Sequence, residues 1–96
     1  MATFVTLVNF TDQGARAIKD SPGRFDAFRT MAKKHGVEVH SVHWTLGSRD
    51  MVLIMSAPDD ESMMAAGIAV SMLGNVRTET LRAFDAAGMQ GVLSRL

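Results

Sequence analysis

The 96-residue sequence contains no cysteine. Disulfides, thiolate metal sites and a cysteine nucleophile are excluded together, and the absence fits a reducing cytosol. No sign of charge prevails either, because ten Lys and Arg balance ten Asp and Glu. A nucleic-acid binder is expected to carry a basic face and a membrane-surface binder a polybasic segment, so neither partner is expected. No run approaches the roughly 18 apolar residues of a membrane span. The start, Met1-Ala2-Thr3-Phe4-Val5, lacks the basic and apolar regions of a signal peptide, and a cytoplasmic location is expected. There is no long polar run, repeat, linker or low-complexity segment, so residues 1–96 read as a single domain. A chain this short buries only about 60–65% of its unfolded surface, which predicts a thin core.

What is present is an alternation of strand and helix signals. Thr3–Phe10, rich in Phe, Val, Leu and Thr, reads as a first strand. Thr11 or Asp12 is placed to cap a short turn of helix. Ser21 as N-cap and Pro22 at the first helical position start the first main helix. Phe25, Phe28, Met31, Ala32 and His35 give it one apolar face, and Gly36 ends it. Val37–Thr45 and Asp50–Ser56 form a hairpin around Gly47. Asp59 caps the second main helix, with Asp60 and Glu61 at the positive end of its dipole, and Gly74-Asn75 closes it. Val76–Phe84 is the fourth strand. Asp85 caps a last short helix with Met89, Val92, Leu93 and Leu96 on one side.

This βαββαβ order predicts an α+β, ferredoxin-like unit: a four-stranded antiparallel sheet with both main helices on one face. Met51, Leu53 and Met55 alternate with Val52 and Ile54, so both faces of the sheet ask for cover. The second helix, Met63 to Leu73, is apolar nearly all round. A second copy packed sheet to sheet, giving a dimeric α/β-barrel, meets both demands; helix-to-helix packing of copies extends the assembly further.

Four segments carry a family resemblance: Leu7-Val8-Asn9-Phe10-Thr11-Asp12-Gln13-Gly14, Trp44-Thr45-Leu46-Gly47, Ala57-Pro58-Asp59-Asp60 and Gly74-Asn75-Val76-Arg77-Thr78. Together they make the chain resemble the GYD-domain family of small bacterial proteins nearly end to end. Gly47 and Asp50 match the glycine and aspartate of the family name, whereas Arg49 stands where its tyrosine aligns. The resemblance implies the dimeric α/β-barrel fold and no settled activity. Fold-level relatives include haem-degrading and quinone-forming monooxygenases, chlorite dismutases and ligand-sensing regulators, and fold alone does not choose among them.

The candidate chemistry is sparse. His40 and His43 lie three apart on a strand, so they point to opposite faces and share no metal ion; no metal and no cofactor are expected. The same alternation groups His43 with Val37, Val39 and Ser41, and His40 with Val42 and Trp44. Arg77, Glu79 and Leu81 fall on one face of the last strand, and Thr78, Thr80 and Arg82 on the other. An Arg77–Glu79 pair competes with Arg77 as an anion-binding group. Asn9 and Asp50 either close turns with local hydrogen bonds or line a site. Trp44 is read as core or interface before it is read as a stacking platform. No Ser-His-Asp or Cys-His grouping assembles.

The candidate pocket residues are therefore Asn9, His43, Trp44, Arg77 and Asp50, with no catalytic assignment. Strands 1 and 3 are taken to run against strands 2 and 4. That places Asn9 and Arg77 toward one end of the sheet and His43 and Asp50 toward the other, with a curved or dimeric barrel needed to unite them. Two functions stay open. One is a homo-oligomer with a small-molecule pocket, between sheet and helices or between sheets, which extends at fold level to cofactor-independent oxidation or isomerisation. The other is a non-catalytic ligand-binding or assembly module.

Overall fold

Every second residue in the middle of β1 (Ala2–Phe10) is buried: Phe4, Thr6 and Val8 lie under cover, and Val5 and Leu7 between them do not. The period of two gives the strand one covered and one open face. The computed structural model describes residues 1–96. After β1 come a short α1 (Asp12–Arg16), a single 3-10 turn (Ile18–Asp20) and α2 (Ser21–Lys34). The hairpin strands β2 (Glu38–Trp44) and β3 (Met51–Ala57) follow, then α3 (Asp60–Ser71), β4 (Val76–Ala83) and α4 (Ala86–Leu93). The sheet order is β2-β3-β1-β4 and every pairing is antiparallel. This is the expected α+β, ferredoxin-like βαββαβ fold.

The helix boundaries have local causes. The side chains of Thr11, Asp59 and Asp85 accept hydrogen bonds from the backbone N–H groups of Gly14, Ser62 and Gly88, each capping the helix that follows. Gly36 has φ 78°, the left-handed conformation that ends α2 without a Cβ clash. Ser21, expected as the cap of α2, is instead its first residue, with Asp20 before it making no side-chain cap bond. Its hydroxyl is turned to Trp44, whose Nε1–H donates to it at 3.0 Å.

Two expectations about the sheet are corrected. First, β1 is antiparallel to both β3 and β4, and β3 to β2. So β1 and β2 run one way and β3 and β4 the other. The end of β1, the start of β4, the end of β2 and the start of β3 all lie at the same end of the sheet, not at two. Second, Val39 pairs with Met55 but Ser41 with Ile54, so His40 is an inserted bulge residue. The bulge resets the alternation. Val39 joins Val42 and Trp44 on the covered face, while Ser41 and His43 face the open side. His40 bonds the Ser56 hydroxyl at 2.8 Å, and Ser56 alternates with covered Met55, so both histidines belong to the open face.

The core is the covered face plus the inward sides of α2 and α3: Phe4, Val8, Ala32, Val37, Met51, Leu53, Met55, Ala57, Met63 and Ala66. Only 14 of 96 residues are buried, which makes this core thin even for a small domain. Apolar side chains left outside it are correspondingly many. Met64, Ile68 and Met72 form an exposed stripe along α3, and Met89, Leu93 and Leu96 are exposed around α4. α4 is not among the elements that pack extensively on another. No helix is long and apolar enough to cross a membrane.

Candidate functional site

The helices do not close fully on the sheet. Between α2, α3 and the covered face lies a cavity of about 550 Å³, within the ~300–1,000 Å³ of small-molecule sites. Aromatic rings come from Phe10, Phe25 and Phe28, and flexible thioethers from Met31, Met51, Met55 and Met63. Such side chains adapt to an apolar guest of irregular outline. On the sheet side, Thr6 of β1 and Thr80 of β4 hydrogen-bond through their hydroxyls at 2.9 Å. They are cross-strand partners, so the pairing register brings them together.

The other polar groups of the lining, the sheet threonines aside, are Ser21 and Arg24 where α2 begins and Asn75 before β4. Ser21 and Arg24 are three apart on α2 and share a side of it. The Arg24 guanidinium donates to the carbonyls of Ala17 (2.7 Å) and Gly14 (3.2 Å). Gly14 is pressed against Asn75, also in the lining: a Cβ at Gly14 would lie 2.0 Å from the Asn75 carbonyl oxygen. Thr11 N–H and hydroxyl donate to Asn75 O and Gly74 O, and Gln13 Nε2 donates to Leu73 O and Asn75 Oδ1. Two of the segments that carried the family resemblance thus meet here and fasten α1 to the turn before β4. Arg24 is the sole ionisable residue of the lining. With no carboxylate, imidazole or amine, the cavity offers binding surface without a general acid or base.

The five candidate residues divide between the faces. Asn9 and Arg77 are cross-strand partners, and His43 pairs with Val52, all on the open face. Asn9 closes the hairpin turn: its Nδ2 donates to Ser48 O at 2.7 Å, and its Oδ1 accepts from Arg49 Nη1 at 3.4 Å. Arg49 Nη2 forms an ion pair with Glu79 Oε1 at 2.6 Å. Glu79 is therefore paired across the sheet with Arg49, not along its strand with Arg77. Asp50 accepts the backbone N–H of Phe10 at 2.8 Å, which ties the hairpin to the end of β1. Trp44 lies on the covered face, edge-on to Phe25 with ring centroids 6.1 Å apart. Asn9, Arg49 and Glu79 are joined in one hydrogen-bonded cluster, with Asp50 next to Arg49 in the turn and Arg77 opposite Asn9; Trp44 stands apart on the helix side, against Ser21 and Phe25. No group of three His, Asp or Glu is placed to hold a metal ion. One pKa shift is resolved: hydrogen bonds from Ser62 hold the Asp59 carboxyl below its ordinary value.

Residue-by-residue reading of the sequence passed over Arg24, Asn75, Thr6 and Thr80 as site residues. The available signal was an Arg one step before the Phe25–Phe28–Met31 apolar stripe, and threonines on the helix-side face of two strands.

Comparison with known proteins agrees with this architecture. A solved crystal structure of a Thermus thermophilus protein superposes with a TM-score of 0.58 at 25% identity, covering 90% of this chain and 96% of that one. A Thermus thermophilus protein named glutamine synthetase and cystathionine beta-lyase binding protein is 30% identical over 90 residues, 93% of this chain and 95% of the relative. The GYD domain model matches residues 4–93, and the chain belongs to the GYD domain family.

Proposed function

We propose that this protein is a self-associating binding module that takes a small, mainly apolar molecule into the cavity between its helices and its sheet. The observation that carries the reading is the cavity of about 550 Å³ itself, apolar over most of its lining and partly open to solvent. A partly open cleft of this size is large enough to take a small molecule. The lack of an acid or base in the lining favours binding over turnover.

Self-association is the second half of the proposal. Val5, Leu7, Val52, Ile54 and Leu81 lie on the open face with no layer of this chain above them. A second copy packed sheet to sheet covers them, and Asn9, His43 and Arg77 then border the space between copies. Native mass spectrometry of the purified protein tests both halves. The expected outcome is a multiple of the 10.4 kDa protomer carrying a ligand adduct that is lost on denaturation. A bare protomer at micromolar concentration overturns the proposal.

A specific observation also favours a second reading, the binding of partner proteins. The relative's name describes binding to glutamine synthetase and cystathionine beta-lyase, and here Met64, Ile68 and Met72 give α3 an exposed apolar stripe suited to a protein surface. Co-sedimentation with either purified enzyme, abolished by Ile68→Asp, is the outcome this reading expects.

A further inference from the structure

The corner of the cavity at the start of α2 holds more hydrogen-bond donors than the chain itself uses. A guanidinium has five N–H groups; Arg24 spends one on Ala17 O and one on Gly14 O. No carboxylate lies within ion-pair distance of it, since the one salt bridge of the chain joins Arg49 to Glu79. Ser21, buried in the same lining, accepts the Trp44 N–H and has its own O–H left to give. Asn75 has its Oδ1 occupied by Gln13, while its Nδ2 makes no bond. The first turn of α2 contains no acidic residue, and Asp20 before it makes no cap bond. Arginine, hydroxyl and amide therefore each keep at least one unused donor, around the fixed positive charge of Arg24, in a space whose other polar lining side chains are the threonines of the sheet.

We propose that the ligand of this cavity is an amphiphilic anion: an apolar body lying among the phenylalanines and methionines, with a carboxylate or similar oxyanion seated on Arg24, Ser21 and Asn75. The inference rests on the cavity reading and adds the charge of the guest. Charge-assisted bonds to a guanidinium are about twice as strong as neutral ones and accept a carboxylate in bidentate geometry. An anionic head also supplies the counter-charge that the chain itself does not give Arg24.

Decanoate, decanol and decylamine, each below its aggregation concentration, test the charge at constant apolar body. Titration calorimetry of the wild-type protein is expected to rank them anion, then alcohol, then amine, with decanoate at least about tenfold tighter than decanol. The Arg24 side-chain Nε–H resonance is expected to move with decanoate and not with decanol. Arg24→Gln brings decanoate down to the affinity of decanol, and Arg24→Lys retains part of the preference. Equal affinities of decanoate and decanol in the wild type overturn the anionic head while leaving the cavity reading standing. Binding of none of the three overturns both. The wild-type ranking and the Arg24 resonance decide the question even if the Gln variant fails to fold.

Discussion

Met55 and Ile54 are neighbours on one strand, and they live on opposite sides of it. Met55 is 1% exposed in a layer of helix and sheet, while Ile54 looks out from the open face with its partner Val5. In sequence β3 is apolar at both, the pattern of a strand covered on two sides. The protomer covers one. The difference separates two roles of the same kind of side chain. On the covered face, apolar residues hold the fold and leave room for a guest. On the open face they contribute little to the fold of one chain and are available to a second.

The sharpest way to break that comparison is to truncate both residues. Met55→Ala removes a fully buried side chain and is expected to cost about 2–5 kcal/mol. Ile54→Ala, measured by urea unfolding under conditions where copies are dissociated, is expected to cost about 1 kcal/mol or less, nearer the range of surface changes. Similar losses at the two sites would mean that the faces do not differ as described. Gly14→Ala comes next in size. Its new methyl meets a backbone carbonyl, not a pliable side chain, so α1 must shift off the turn before β4, at about 1–3 kcal/mol. Because that contact frames the polar corner, the same variant is expected to weaken decanoate binding, and it does so from the covered side alone.

Much of this division was legible in the sequence. Strand order along the chain, the caps at Asp59 and Asp85, a cap at Thr11 or Asp12 that Thr11 fills, and the left-handed Gly36 follow from local rules that depend on a few adjacent residues. The apolar positions on both sides of β3 correspond to Met51, Leu53 and Met55 under the helices and to Val52 and Ile54 on the open face. Three things were not legible. The bulge at His40 has no signature in Val37–Trp44, and a single extra residue moved both histidines to one face. The relative directions of the strands were misassigned, and with them the clustering of Asn9, Asp50 and Arg77 at one end. The cavity arises from how far two helices stand from a sheet, a tertiary distance that periodicity does not encode. Arg24 becomes a site residue only because Gly14 and Ala17 bring their carbonyls to it.

Arg49→Ala sharpens the comparison from the open side with a smaller effect. The Arg49–Glu79 pair is largely solvent-exposed, so its loss is expected to cost less than about 1 kcal/mol. Cavity binding is expected to stay unchanged, because Arg49 is absent from the lining. Loss of decanoate affinity in this variant would show that the two faces are coupled through the sheet.

The smallest effect isolates the lid of the covered face. Asp59 caps α3 by accepting the Ser62 N–H at 2.7 Å, and these hydrogen bonds with Ser62 depress its pKa. A carboxyl bound more tightly to its proton in the unfolded chain than in the folded one stabilises the fold while ionised. Its contribution is complete above the ordinary aspartate value of about 3.9 and disappears as pH falls through the lower folded value. Asp59→Asn keeps an oxygen for the cap but removes the titration. Thermal midpoints followed from about pH 6 to about pH 2 are therefore expected to fall less steeply in the variant than in the wild type, and only on the acid limb. Asp59 touches α3 and not the open face, so acid acting through it loosens the helix over the cavity first. Decanol release that begins before the copies separate is the order of events expected. Separation first would place the acid-sensitive contact on the open face instead.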